Sequence, residues 1–277
     1  MSIASRYPRR GPREPGQRGW LDRRGRLGYG LVGVIGFILI WEFGSRAGVI
    51  NAFFFSRPTA IVEAGIVEVQ IPRFWDDVRI SVTEFLVGYG LAIVVGIPLG
   101  LLTGWYRRLQ YVLDPWLNFL NSLPRFALLP VIVIAVGLGI WSKITVCFLG
   151  AVLAIIIPTI QGVRTVDRRY LDVASSFRAS QTRLFATVVA PATVPFIVTG
   201  LRLGMARALI GVVTGELFAA TGGLGYMIKK ASDALQTDKL LFGVLIFTFA
   251  GVILVEAVRR LETRVQRWRP VRRGAAA

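Results

Sequence analysis

The sequence predicts an all-α integral membrane protein with six transmembrane helices and both termini in the cytoplasm. The first observation is composition: 54% of the 277 residues are hydrophobic, and the mean hydropathy is +0.58. Only 18% are charged, against roughly 25% in soluble globular domains. The second is a series of long apolar runs, and the third is a concentration of arginine near both ends and in one internal segment. These features together predict bilayer-crossing helices with basic segments on one side.

The apolar runs give the positions of the helices. A bilayer core about 30 Å thick requires about 20 mostly apolar residues per helix, and the backbone groups of such a segment must bond within it. We predict transmembrane helices at residues 27–46, 84–105, 122–141, 144–163, 194–219 and 240–258. Lys143 is expected in the short connection between the third and fourth helices. The runs do not alternate with period two as β-barrel strands do, and core helices of soluble proteins rarely reach this length without a polar face.

Each predicted helix follows a run that is almost free of charge. The runs are, in order, Leu27–Trp41, Phe85–Tyr106, Phe126–Ser142, Ile144–Val163, Leu184–Leu201 with its apolar continuation past Arg202 and Arg207, and Leu240–Val255. The second run is the clearest, because Glu84 and Arg107 are its nearest charges on either side.

Arginine placement sets the orientation and the domain boundaries. Eight arginines lie in residues 1–26, and seven follow residue 258. Basic segments stay on the cytoplasmic side, so we predict a basic disordered cytoplasmic tail at 1–26, a transmembrane domain at 27–258 with a cytoplasmic loop at 164–190, and a second basic tail at 259–277. The net charge of +17 is then a topology signal, and the lipid bilayer rather than a nucleic acid is the expected partner.

Composition also excludes most catalytic and metal chemistry. The chain has no histidine and a single cysteine, Cys147, which excludes Ser-His and Cys-His catalysis, an all-cysteine zinc site and an intrachain disulfide. None of the four lysines lies in the Gly-Lys-Ser/Thr sequence of a phosphate-binding loop. We therefore expect no catalytic residue, no metal and no cofactor in this chain. Transport remains, driven by a gradient or by a partner.

The internal basic segment is the most informative. Asp172-Val173-Ala174 is predicted to open a short helix that breaks at Arg178-Ala179-Ser180, and a second amphipathic helix is predicted from Arg183 to Val189, leading to Pro191. An amphipathic helix needs a cover for its apolar face. That cover is either a groove on a partner protein or the lipid headgroup region, and the periodicity alone favours neither.

This segment resembles the EAA signature of binding-protein-dependent ABC importer permeases. Asp172, Val173 and Ala174 fall on the Glu-Ala-Ala positions, and Pro191 falls on the proline 19 positions after Asp172. Arg178 replaces the glycine that permits a sharp turn. For coupling to an ATPase, the resemblance implies the following residues: Asp172, Val173, Ala174, Ser175, Phe177, Arg178, Ala179, Arg183 and Pro191.

Further motifs over residues 50–265 are similar to the nitrate/sulfonate/taurine type of permease. They are Phe55-Ser56-Arg57-Pro58, Gly96–Gly104, Leu123–Pro130, Gly137-Leu138-Gly139, Gly200–Leu203, Gly215-Glu216 and Gly222–Gly225. Glu84 stands where such relatives usually carry arginine.

The resemblance implies a MetI-like permease fold in the bacterial inner membrane. It implies a cytoplasmic ABC ATPase dimer that binds ATP and Mg, a second copy of the chain, and an external solute-binding protein that delivers a small, anionic solute. The alternative from another class is a gradient-driven secondary carrier. Such carriers usually contain internal repeats, and no convincing repeat is present between 27–163 and 184–258. A structural or receptor-like membrane protein is a third possibility.

Ionisable residues at membrane depth are costly and usually functional. Arg202, Arg207 and Glu216 are therefore candidates for a translocation pathway on the fifth helix. The alternatives are that Arg202 extends its side chain to the interface and that Glu216 caps or pairs at a contact between helices. Small residues at four-residue spacing allow helices to approach closely, within the chain or between two copies, and here they are Gly96, Gly100, Gly104, Gly200 and Gly204.

Overall fold

The computed structural model describes residues 21–219 and 221–266, and in those residues the structure contains helices and no strands. The helices are α1 (Leu21–Arg46), α2 (Ala52–Phe55), α3 (Pro58–Val69), α4 (Pro72–Trp105), α5 (Arg107–Ser122), α6 (Leu129–Val136), α7 (Ile140–Arg164), α8 (Arg168–Ser176), α9 (Gln181–Leu184), α10 (Ala190–Ala219), α11 (Leu224–Asp233) and α12 (Thr237–Gln266). A 3₁₀ turn, Arg125–Leu128, precedes α6, and a π-helical turn, Phe185–Val189, joins α9 to α10. The all-α class is confirmed.

Five helical stretches of the described residues are long and apolar enough to cross a membrane. They are Gly28–Arg46, Pro72–Trp105, Ile140–Arg164, Gln181–Phe218 and Thr237–Arg260. They correspond to five of the six predicted helices, although α4 begins 12 residues before the predicted start at residue 84.

The predicted continuous helix at 122–141 is wrong. The chain there forms the 3₁₀ turn and then α6, only eight residues long. Pro130 is compatible with the first turn of α6, and the helix ends at Gly137, whose φ of 88° is a conformation that favours glycine. Gly139, at φ 152°, follows before α7 begins.

The predicted connection at Lys143 is also wrong. Lys143 lies in the first turn of α7, where it is buried with 4% of its surface exposed. A lysine in an apolar stretch indicates the end of a transmembrane helix only if no group inside the protein neutralises its charge. Here the Glu84 carboxylate neutralises Lys143.

Helix α7 is the centre of the core, between α4 and α10. Gly88 of α4 lies against Cys147, and Gly104 lies against Val163, so α4 and α7 run parallel. Two parallel neighbouring helices require the chain between them to return across the bilayer. Residues 107–139, with α5, the 3₁₀ turn and α6, are the part of the chain between them. The topology is consistent with six crossings, and the count and the side of the termini stay predictions.

Helix α10 packs against α7 in the opposite direction. Gly162 lies against Phe196 near one end, and Gly215 lies against Lys143 near the other. Helix α12 packs beside α10 and α11, where Gly243 contacts Ile228. The shared core is apolar, with these members among the most buried: Phe85, Ala92, Ala151, Ile155, Ala208 and Val212.

Among the described residues, 21–60 form a separate compact unit. Near the end of α1, Glu42 pairs with Arg46 at 2.6 Å and accepts hydrogen bonds from the N–H (3.1 Å) and the hydroxyl (2.9 Å) of Thr59. Helix α1 begins at Leu21, inside the segment predicted as a disordered tail, and α12 continues to Gln266 within the other predicted tail. The remaining parts of both tails lie outside the described residues.

Candidate functional site

The segment with the EAA-like spacing, residues 167–191, forms a helix, a sharp turn and a second helix, and we call it the coupling segment. Helix α8 begins after Asp167, whose side chain accepts a hydrogen bond from the Arg169 N–H at 3.0 Å. The prediction that Asp172 opens the helix is therefore wrong by one turn. Asp167 provides the N-cap because its carboxylate satisfies an N–H that has no partner within the helix.

The predicted break after α8 is present, and Arg178 lies at its centre. Arg178 has a φ of 54°, which is the left-handed conformation. Its N–H donates to the Ser175 carbonyl at 2.8 Å, and the Ala179 N–H donates to the Ala174 carbonyl at 3.2 Å. These two bonds form a Schellman motif, whose left-handed position is usually glycine. The position that aligns with the family's glycine thus has the backbone conformation of a glycine.

The chain after the break is helical as predicted, but it changes from an α-helix to a π-helical turn before α10. The Ser180 side chain accepts from the Arg183 N–H at 3.3 Å and caps α9. The next turn, Phe185–Val189, is π-helical and leads directly to Ala190 and Pro191. Proline has no N–H for the helix, and such wide turns occur where a helix accommodates an irregularity.

The two faces of α8 have different environments. Leu171 and Ala174 are partly buried against the cluster of Val163, Leu184 and Val189, which belongs to the ends of the long helices. The exposed side carries an apolar stripe with helical spacing: Tyr170 is 65% exposed, Val173 58% and Phe177 84%. We call these three residues the docking face.

The other residues predicted to take part in coupling differ in exposure. Asp172, Ser175, Arg178, Arg183 and Pro191 are exposed, and Ala174 and Ala179 are partly buried. Most of the predicted set is therefore exposed in the structure, and its role in coupling stays a prediction.

A basic cavity next to the coupling segment was not predicted from the sequence. It has a volume of about 680 Å³ and lies between the α4–α5 turn and α9. Its lining includes Trp105, Arg107, Arg108, Gln181 and Phe185. Trp105 and Phe185 contact edge to face with ring centroids 5.4 Å apart, and this contact joins the coupling segment to α4.

A second cluster of polar residues lies at the distal end of the long helices, meaning the end opposite the coupling segment. There, three consecutive N–H groups at the start of α11 donate to buried side chains: Gly223 to Asp77 at 2.7 Å, Leu224 to Ser81 at 2.9 Å and Gly225 to Glu216 at 2.7 Å. The Ser81 hydroxyl also donates to Glu216 at 2.6 Å. Side chains of α4 and α10 thus fix the first turn of α11.

Charges from α4 and α7 complete this cluster, which we call the clasp: Asp77, Ser81, Glu84, Lys143, Glu216 and the turn 222–225. Lys143 forms an ion pair with Glu84, and its ammonium group donates to the Gly222 carbonyl at 3.5 Å. Glu84 and Glu216 have no exposed surface, and Asp77, Ser81 and Lys143 are 5% exposed or less.

The glycines of the turn make this arrangement possible. Gly223 has a φ of 111°, and a Cβ there would collide with the Glu216 carboxylate. A Cβ on Gly225 would lie 2.7 Å from the Cβ of Glu216. Sequence reasoning identified the glycine run and Glu216 separately but missed the clasp. A usable signal was present, because Asp77, Ser81 and Glu84 have the spacing of one helical face.

Comparison with known proteins identifies the chain. Residues 96–267 match the family model described as the binding-protein-dependent transport system inner membrane component. The chain belongs to this family. A Bacillus subtilis permease protein named for the transport of aliphatic sulfonates is 30% identical to it, over 93% of this chain and 91% of that protein. The taurine transport system permease protein of Escherichia coli is 29% identical, over 90% and 91%.

The fold agrees with the family. A chain of the MetNI methionine ABC transporter, solved in inward facing conformations, matches with a TM-score of 0.53 at 20% identity, over 66% of this chain and 94% of that chain. The predicted MetI-like fold is confirmed. The protein is therefore an ABC transporter permease subunit of the bacterial inner membrane, with several membrane crossings.

The three charges predicted to line a pathway have different surroundings in this permease. Arg202 is half-buried and Arg207 is exposed on α10. Glu216 is fully buried in the clasp, which is the contact between helices given above as its alternative role. Their placement in a translocation pathway stays a prediction.

The glycines of the permease with four-residue spacing lie where another helix of the same chain passes close by. Gly96 and both Gly200 and Gly204 lie against Ile155, so α4 and α10 approach α7 at the same residue. Gly100 lies against Thr159, and Gly104 against Val163. A side chain at these positions would push the helices apart.

Proposed function

We propose that this permease forms the translocation pathway of an importer for a small anionic solute. An external binding protein delivers the solute, two permease copies enclose the pathway, and a cytoplasmic ATPase dimer binds ATP and Mg and drives the cycle. The observation that carries the proposal is the docking face. It is a compact apolar stripe on a helix that is anchored to the transmembrane helices on its other side.

The anchoring of α8 is what makes it suitable for transmitting motion. Leu171 and Ala174 contact the end of α7 and the start of the α9–α10 helix, and the turn at Arg178 is fixed by two backbone hydrogen bonds. A partner bound at Tyr170, Val173 and Phe177 would therefore shift the long helices when it moves. Alternating access needs such a rigid link between an ATP-dependent closure and the transmembrane body.

The solute class is inferred from relatives and from charge. The Bacillus subtilis and Escherichia coli relatives are named for aliphatic sulfonates and taurine. On α10, Arg207 is exposed within the described residues. A positive group on a helix that borders the pathway would attract an anion and oppose a cation.

Substitution in the docking face tests the coupling role. Phe177→Ala removes the most exposed ring of the docking face, and we expect about tenfold weaker binding of the ATPase, because buried aromatic anchors dominate such interfaces. The measurement is co-purification of the ATPase with the permease from membranes, together with ATP-dependent uptake. Phe249→Ala is the matched control, since Phe249 is 62% exposed on α12, away from the coupling segment.

Two outcomes would contradict the proposal. One is that Phe177→Ala and Phe249→Ala retain the ATPase equally well. The other is that the permease alone, reconstituted in vesicles, accumulates taurine under an ion gradient with no ATPase present. The solute class is tested separately by competition among taurine, alkanesulfonates and neutral or cationic analogues of similar size in the full transporter. Uptake that prefers a cationic analogue would overturn the anion assignment.

A further inference from the structure

The clasp contains more negative charge than its one cation can balance. Glu84, Glu216 and Lys143 are all buried, and Lys143 pairs with Glu84. Beyond that ion pair, both Glu84 oxygens are buried without a hydrogen-bond partner among the described residues, and Glu216 accepts from Ser81 and Gly225 beside them in the clasp. With both carboxyl groups ionised, this trio has a net charge of −1, and with one proton between them it is neutral.

Surrounding groups do not supply the missing positive charge. On α4, Asp77 adds a further negative charge, which the Gly223 N–H and the positive end of the α11 dipole offset. On α7, the neighbouring ionisable group besides Lys143 is the thiol of Cys147. On α11, Lys229 is exposed and pairs with Asp233 at 2.9 Å, and Lys230 is also exposed.

We propose that Glu84 and Glu216 hold one proton between them, and that this proton keeps α11 locked to the long helices at the distal end of the permease. Two carboxylates that are fully buried in one cluster with a single lysine cannot both remain ionised without a large cost, because an unbalanced buried charge is expensive. The proton removes this cost while Glu216 still accepts from Ser81 and Gly225.

The lock has a consequence for the transport cycle. Opening the turn 222–225 would separate Glu216 from its N–H donor and admit water, and a hydrated carboxyl pair would release its proton to that water. Closing would take up one proton from water again. Movement of α11 and protonation of the pair are therefore linked: closing of the turn favours proton uptake, and the bound proton favours the closed turn.

Infrared spectroscopy of the whole transporter in lipid nanodiscs tests the proton directly. At neutral pH we expect a carbonyl stretch from a protonated carboxyl group that is lost in Glu84→Gln and also in Glu216→Gln. Each variant leaves one carboxylate with Lys143, a neutral pair that needs no extra proton. Glu68→Gln is the control, because Glu68 pairs with Lys239 outside the clasp. A wild-type spectrum without the band, or a band that both clasp variants retain, would overturn the proposal.

The pH dependence of stability gives a second, independent readout. If the folded permease binds one more proton than the unfolded chain, the folded-to-unfolded ratio falls as pH rises, by up to about tenfold per pH unit. Glu84→Gln should reduce this dependence and leave the three hydrogen bonds to α11 in place, so it carries the test even if Glu216→Gln folds poorly. An unchanged pH dependence in Glu84→Gln would contradict the proposal. Neither readout requires the solute or the ATPase assignment to be correct.

Discussion

The coupling segment and the clasp lie at opposite ends of α7 and hold the chain together in opposite ways. The coupling segment leaves three apolar side chains uncovered, and its polar groups face outward. The clasp buries five polar or charged side chains almost completely and satisfies three backbone N–H groups with them. An uncovered apolar stripe marks a contact with another protein or with the membrane surface, whereas the polar groups of the clasp have their partners within one chain.

Under the proposed function, the exposed end of the permease binds the ATPase, while the buried clasp keeps the helices assembled at the other end. The docking face contributes little to the stability of the chain itself, so substitutions there should change assembly. The clasp contributes to the stability of the fold, because buried charges that lose a partner are expensive. Substitutions in the two regions should therefore have separable effects on stability and on ATPase binding.

The largest effect is expected from removing the clasp's only cation. Lys143→Met leaves Glu84 and Glu216 buried without a positive partner, and we expect a loss of about 3–5 kcal/mol in stability. The measurement is thermal unfolding of the purified transporter in nanodiscs. Lys229→Met is the matched control, since the pair between Lys229 and Asp233 is partly exposed and should contribute less than about 1 kcal/mol. Equal stability losses in both variants would show that the clasp does not stabilise the fold.

A somewhat smaller effect is expected at the turn of the clasp. Gly223→Ala places a Cβ against the Glu216 carboxylate at a positive φ, so it combines backbone strain with the loss of a buried hydrogen bond. We expect a loss of roughly 2–4 kcal/mol, measured by the same unfolding assay. Gly90→Ala provides the comparison, because a Cβ at Gly90 meets no atom within 4 Å and alanine favours the helix. If Gly223→Ala were as stable as Gly90→Ala, Glu216 would not be held where the structure places it.

The smallest effect is expected at the turn of the coupling segment, and its direction is stabilising. Arg178 pays the steric cost of the left-handed conformation at φ 54°, and Arg178→Gly should relieve about 0.5–1 kcal/mol of it. Hydrogen exchange at the amides of Phe177, Arg178 and Ala179 measures the change as slower exchange. Arg183→Gly, within α9, should have the opposite effect on its own helix. Faster exchange around residue 178 in Arg178→Gly would contradict the assignment of the turn.

The coupling segment could be predicted from the sequence because its signals are local. The break at Arg178 involves neighbours along the chain and is found in the structure, while the role of the spacing from Asp172 to Pro191 stays a prediction. The helix start was misplaced because Asp167 and Asp172 are both plausible caps, and only the backbone decides between them. The five glycines of the helix contacts are likewise signals within single helices.

The clasp could not be predicted in the same way because its partners are distant in sequence. Hydropathy treats every charge as an interruption and so predicts Lys143 in a connection, because its neutralising residue, Glu84, is 59 positions away. The broken helix after residue 122 has a related cause. Composition shows an apolar run there, but Gly137 at φ 88° ends α6 and Gly139 at φ 152° precedes α7. Hydropathy does not include these backbone conformations.

Photo-crosslinking from the docking face tests the central claim most directly. With Phe177→p-benzoylphenylalanine in native membranes that contain the ATPase, the account predicts a crosslinked product between the permease and the ATPase. The same substitution at Phe249, on α12, should give no such product. If position 177 crosslinks only to lipid while the ATPase is present and bound elsewhere, the claim that α8 connects the ATPase to the permease would be contradicted.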